Sequence, residues 1–89
     1  MDTRERRAFE DLGRRVREAR LMRGWTQETA AERLAIDLKD FQRIEAGKVN
    51  VTLRTLVRLA RSLRVPLRSL FDPPASRAPR KVGRPRVVR

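Results

Sequence analysis

The side chains of this 89-residue sequence that can do chemistry are almost all cations, carboxylates and carboxamides. Cys, His and Tyr are absent. Thiolate chemistry and disulfide staples are therefore excluded, and so is the usual proton carrier near neutral pH. What remains cannot assemble a nucleophile–base pair, and no glycine-rich phosphate loop is present, so the sequence argues against an enzyme. A zinc site would need an all-carboxylate shell; no metal and no cofactor are expected. Recognition is the chemistry left. With 23 Lys and Arg against 11 Asp and Glu, the net charge of +12 points to a polyanionic partner, most often nucleic acid.

The positive charge is uneven. Residues 73–89 carry Arg77, Arg80, Lys81, Arg84, Arg86 and Arg89 and no acid, so 6 of the 12 net charges lie there. Four of the five prolines and Gly83 fall in the same stretch, which has no helical or strand periodicity. It reads as a disordered basic tail. Residues 1–72 hold 17 basic and 11 acidic residues and nearly all the large apolar side chains, and are expected to form one small domain. No apolar run approaches the roughly 20 residues of a membrane span. The expectation is a soluble cytoplasmic protein, associated with the nucleoid and not with membrane.

The elements that must position the recognition groups follow from caps and apolar spacing. Asp2 or Thr3 caps a first helix with the stripe Phe9, Leu12, Val16 and Ala19, stopped by Gly24. Thr26 opens a short second helix with Ala30, Ala31 and Leu34 on its inner face. Asp37 caps a third, buried at Phe41 and Ile44 and ended by Gly47. After the loop Lys48 to Val51, Thr52 caps a fourth with the stripe Leu53, Leu56, Val57, Ala60 and Leu63. Pro66 fits the first turn of a last short helix ending near Leu70 and Phe71. The prediction is all-α: a compact five-helix bundle followed by the tail.

Helix two, a turn and helix three form a helix–turn–helix. From Leu12 to Phe71, the sequence resembles the Cro/phage-repressor-type helix–turn–helix family, whose fold is lambda-repressor-like. Gly24, Thr26-Gln27, Ile44-Glu45, Gly47, Leu53 and Leu70-Phe71 carry the resemblance by their order and spacing. It implies double-stranded DNA as partner, with helix three in the major groove and helix two braced on the backbone. Thr26 and Gln27 then match phosphate-binding positions, and Asp37, Leu38, Lys39, Gln42 and Arg43 match base-reading ones. In that groove Lys39 or Arg43 suits guanine, Gln42 suits adenine and Leu38 can cover a thymine methyl. Lys48 and Asn50, in the following loop, complete the expected DNA-binding set. Arg20 is expected both near a phosphate and paired with Glu45.

Some positions depart from the family pattern. Trp25 stands where Leu is usual and Ala30 where Leu is common, so the indole is expected to fill the space left by the alanine. Ala35 and Arg64 replace helix-ending glycines, and a left-handed residue at Ala35 would cost about 1 kcal/mol. Residues 36–46 hold Asp37, Asp40 and Glu45 against Lys39 and Arg43, a net of −1, with Asp37 assigned a capping role. In the tail, Arg80, Lys81, Gly83, Arg84, Pro85 and Arg86 resemble an AT-hook, whose Gly-Arg-Pro centre lies in the minor groove of A·T-rich DNA. Val82 occupies the place of that motif's first arginine. A phosphate-seeking tail is the plainer reading.

The family resemblance also implies a two-fold dimer on palindromic half-sites. Leu59, Leu67, Leu70 and Phe71 are the expected interface of the homodimer. The leading expectation is a sequence-specific DNA-binding transcriptional regulator. The rival keeps the fold as a protein-interaction or antitoxin-like co-regulator that binds a protein partner and only weak, non-specific DNA. RNA is disfavoured by the scarcity of aromatics, and a membrane surface by the lack of an amphipathic or lipidated anchor.

Overall fold

A capping box starts the first helix. The Asp2 carboxylate accepts from the Glu5 N–H at 2.8 Å while the Asp2 N–H donates to the Glu5 carboxylate at 3.3 Å. The computed structural model describes residues 1–78. Its elements are α1 (Thr3–Met22), α2 (Gln27–Leu34), α3 (Leu38–Glu45), α4 (Leu53–Leu63) and a closing 3-10 helix (Leu67–Phe71). The first four expected helices are present. The fifth is a 3-10 helix, held by i→i+3 bonds such as Ser69 N–H to the Pro66 carbonyl at 2.9 Å. Five residues behind a proline are too few to establish an α-helical ladder.

Local signals account for the ends. Thr26 and Thr52 each accept from a backbone N–H three residues on, at 3.0 and 3.1 Å. Ala35 and Arg64 close α2 and α4 in the left-handed conformation, at φ 57° and 58°. The guanidinium of Arg58, on α4, donates to the Leu34 carbonyl and satisfies the C-terminal end of α2. Asp37 occupies the N-cap position of α3 but makes no side-chain cap bond, so the expected capping role is not observed among the described residues.

The core is built from Leu12, Val16 and Ala19 of α1, Ala30, Ala31 and Leu34 of α2, and Phe41 and Ile44 of α3. Leu56, Leu59, Ala60 and Leu63 of α4 and Leu70 complete it. Two close approaches set the position of α3. A Cβ on Gly13 would lie 2.3 Å from the Glu45 carbonyl oxygen, so α1 touches the end of α3 through a position only glycine fits. Gly47, at φ 72°, turns the chain away over Glu10, where a Cβ would lie 2.7 Å from the Glu10 Cα.

Three expectations are corrected. Leu59 and Leu70 are 0% and 1% exposed and serve the protomer's own core, so they cannot form an interface. Leu53 and Val57, expected inside, are 65% and 39% exposed, because α4 turns its 56, 59, 60 and 63 edge inward instead. Phe71 is exposed and Leu67 half-buried. Trp25 is only half-buried: it packs on the core with its ring under the guanidinium groups of Arg23 and Arg33, 5.5 and 5.0 Å from the centroid.

The chain also stays on the body beyond residue 72. Pro74 is buried, and the Ala75 N–H donates to Glu18 at 2.7 Å. Arg77 makes two 2.9 Å bonds to Asp11, and its carbonyl accepts from Arg14 at 3.3 Å. The guanidinium of Arg77 holds the Asp11 carboxyl below its ordinary range, against a smaller opposing effect of burial. The start of the expected tail is therefore strapped along α1.

Candidate nucleic-acid interface

The hydrophobic period of α3 decides what it can offer. Phe41 and Ile44 face the core, which leaves Lys39, Gln42 and Arg43 exposed at the i, i+3 and i+4 positions of the opposite face. Leu38 is half-buried at the first turn. Beside this face lies the start of α2: Arg20, Thr26, Gln27, Glu28, Leu38 and Gln42 line one open depression. On the other flank, Asp40, Arg43 and Asn50 line a cleft against the start of α4. Lys48 is exposed just past the turn.

One buried ion pair ties α3 to α1. Arg20 donates through Nε to Glu45 Oε2 at 2.7 Å and through Nη2 to Oε1 at 3.2 Å, while Nη1 donates to the Trp25 carbonyl at 2.8 Å. This is the expected Arg20–Glu45 pair. The arginine is only 7% exposed and three of its donors are engaged. Arg20 is therefore a positioning residue, and it also lines the open depression beside Thr26 and Gln27, where its expected phosphate contact would have to be made. Gln27 Nε2 joins the same carboxylate at 2.9 Å, and Gln42 Nε2 donates to Gln27 Oε1 at 3.2 Å. A polar chain thus runs from the buried carboxylate to the outer face of α3.

The pair also changes the charge balance of that face. Glu45 is 1% exposed and matched by Arg20, so the acids α3 shows to solvent are Asp37 and Asp40, against Lys39 and Arg43. Two against two is neutral; Lys48 adds a positive charge past the turn and the exposed Glu28 a negative one at the start of α2. The net −1 read along the segment does not face outward.

Thr26, Gln27, Leu38 and Gln42 are thus brought together, and Arg43 and Asn50 meet on the other flank; Asp37, Lys39 and Lys48 are exposed around them. Arg80, Lys81, Gly83, Arg84, Pro85 and Arg86 lie outside the described residues. Sequence reasoning missed the Gln27–Gln42 bond and the role of Gly13. A glycine inside a strongly periodic helix was the available signal for the second.

A family model described as a helix-turn-helix domain matches residues 11–71. The chain belongs to this helix-turn-helix family. Its type is the Cro/phage-repressor one. Among solved structures, the chain is similar to the restriction-modification controller protein C.AhdI from Aeromonas hydrophila. The identity is 35% and the TM-score 0.68, over 71% of this chain and 96% of that one. A hypothetical transcription factor, NHTF from Neisseria, shares the helix-turn-helix fold at a TM-score of 0.70 and 24% identity, over 78% of this chain and 80% of that one. No curated protein matches. Among the described residues, no helix is long and apolar enough to cross a membrane.

Proposed function

We propose that this helix-turn-helix protein is a sequence-specific DNA-binding transcriptional regulator that lays α3 in the major groove. The observation that carries the reading is the exposed Lys39, Gln42 and Arg43 face of α3, with Thr26 and Gln27 beside it and the Arg20–Glu45 pair locked behind it. Lys39 and Arg43 are suited to guanine O6 and N7, Gln42 to adenine, and Leu38 to a thymine methyl. Thr26 and Gln27, at the start of α2, suit a phosphate, where the helix's free N–H groups and dipole favour an anion. Lys48 and Asn50 add contacts at the edge. C.AhdI, a restriction-modification controller, and NHTF, a hypothetical transcription factor, support the regulatory reading.

The regulator acts as a homodimer on a palindromic site. Its interface is reassigned to the apolar residues that α4 and the 3-10 helix leave exposed: Leu53 and Val57, one turn apart, and Phe71. Light scattering of the full chain should give a dimer mass, and Val57→Glu should give a monomer. Arg80, Lys81, Gly83, Arg84, Pro85 and Arg86 add backbone or minor-groove contacts. Selection of binding sites from random DNA tests the whole reading. A palindromic consensus is expected from the full chain, and from residues 1–78 with weaker flanking A·T preference. Binding that is weak and blind to sequence would instead favour a protein-interaction co-regulator.

A further inference from the structure

We propose that the buried carboxylate of Glu45 sets the hydrogen-bonding polarity of Gln42, and so selects which purine the outer face of α3 prefers. The proposal rests on the DNA-docking reading above. Glu45 is almost fully buried and can only accept. Its oxygens receive Arg20 from one side and Gln27 Nε2, at 2.9 Å, from the other. Gln27 must therefore turn its amide NH2 inward, which leaves its carbonyl as the group facing the surface. That carbonyl accepts from Gln42 Nε2 at 3.2 Å. Every donor in the chain points toward the carboxylate, and each amide is oriented by the one beneath it.

The consequence appears at Gln42. One of its two N–H groups is committed to Gln27, so its free edge combines one N–H with its carbonyl oxygen. Adenine complements that edge, accepting at N7 and donating from its N6 amino group, whereas guanine offers two acceptors, O6 and N7. A good bidentate match discriminates by a factor of about 5 to 150.

Glu45→Gln should reverse the relay. Arg20 has no acceptor, so the new amide must give its oxygen to Arg20 and its NH2 to Gln27. Gln27 then turns its carbonyl inward and its NH2 outward. Gln42 must answer with one lone pair of its carbonyl, which leaves both of its N–H groups and the second lone pair free. Its outer edge can then offer two donors to guanine as readily as a donor and an acceptor to adenine, so the preference for adenine is lost.

The test is site selection from random DNA with the full chain, comparing wild type, Gln42→Ala, Gln27→Met and Glu45→Gln, with thermal unfolding of each. Gln42→Ala identifies the base pair that Gln42 reads. At that pair wild type should prefer A over G by about 5-fold or more. At that pair Glu45→Gln and Gln27→Met should each bring A and G toward parity; Gln27 also lies at the proposed phosphate contact, so the A-over-G ratio and not overall affinity is the readout. The Gln27→Met arm leaves the ion pair intact and stands even if Glu45→Gln fails to fold. An unchanged A-over-G preference at that pair in these variants would overturn the proposal. If wild type selects no consensus, the DNA reading fails instead. The relay is then decided on the free chain by the side-chain amide NMR signals of Gln42. These should move toward an unbonded amide in Glu45→Gln and Gln27→Met, and would sink the proposal by staying in place.

Discussion

Gly13→Ala sets two effects of known size against each other. Gly13 lies inside α1, where alanine is the better helix former by about 1 kcal/mol. Propensity alone predicts stabilisation. The added Cβ, however, would sit 2.3 Å from the Glu45 carbonyl oxygen and 2.7 Å from both the Glu45 carbonyl carbon and the Ile44 carbonyl oxygen. Ordinary contact begins near 3.4 Å, so about 1 Å of backbone separation must open between α1 and the end of α3. Overpacking of this kind costs about 1–3 kcal/mol, and contact with backbone instead of a flexible side chain places it at the upper end. After the propensity gain the net loss is about 2 kcal/mol. For a domain of this size that lowers Tm by about 8–16 °C. Thermal unfolding by circular dichroism reads it directly. An unchanged or raised Tm would refute the close approach of α1 to α3 and the positioning of α3 derived from it.

Further expectations concern the turns, the ion pair and the strap. Ala35→Gly and Arg64→Gly relieve a left-handed backbone, and each should stabilise by about 0.5–1 kcal/mol once the greater freedom of glycine in the unfolded chain is offset, a rise in Tm by differential scanning calorimetry. Arg20→Ala strands the buried Glu45 carboxylate and should cost about 3–5 kcal/mol in urea unfolding; a loss below 1 kcal/mol would contradict the burial of the pair. The Asp11 carboxyl is held below its ordinary range by Arg77, so its contribution is present above the unfolded pKa of about 3.9 and is lost as pH falls through the lower folded value. The protection of the Ala75 amide against exchange, taken relative to an unfolded chain at the same pH, should therefore fall on acidification through that window, and Asp11→Asn should lower it already at neutral pH.

Much of this architecture is legible from local chemistry. Thr26 and Thr52 as caps, Gly24 and Gly47 as stops, and Phe41 with Ile44 as the inner face of α3 depend on neighbours a few residues away. The Arg20–Glu45 pair was readable from family resemblance. The α4 stripe was not, because 53, 56, 57, 60 and 56, 59, 60, 63 are both plausible helical faces and only the packed neighbours choose between them. Periodicity alone therefore puts Leu59 outside and Val57 inside. Asp37 has the right type for a cap, yet its side chain makes no such bond. The strap depends on contacts such as Arg77 with Asp11, 66 residues apart, which no local pattern encodes. At the candidate interface, the acidic balance of α3 misled because Glu45 points inward; burial, not composition, decides which charges meet a partner.

The most direct test of α3 as the reading element is a pair of affinities. Binding of the full chain to its selected site and to a scrambled duplex should be measured at about 0.15 M salt, for wild type and Arg43→Ala. Wild type should favour its site by about 10³-fold or more. Arg43→Ala should weaken the specific complex by about 5- to 150-fold, as expected for one bidentate base contact, while barely changing the non-specific one. Equal losses on both duplexes, or none on either, would contradict α3 in the major groove.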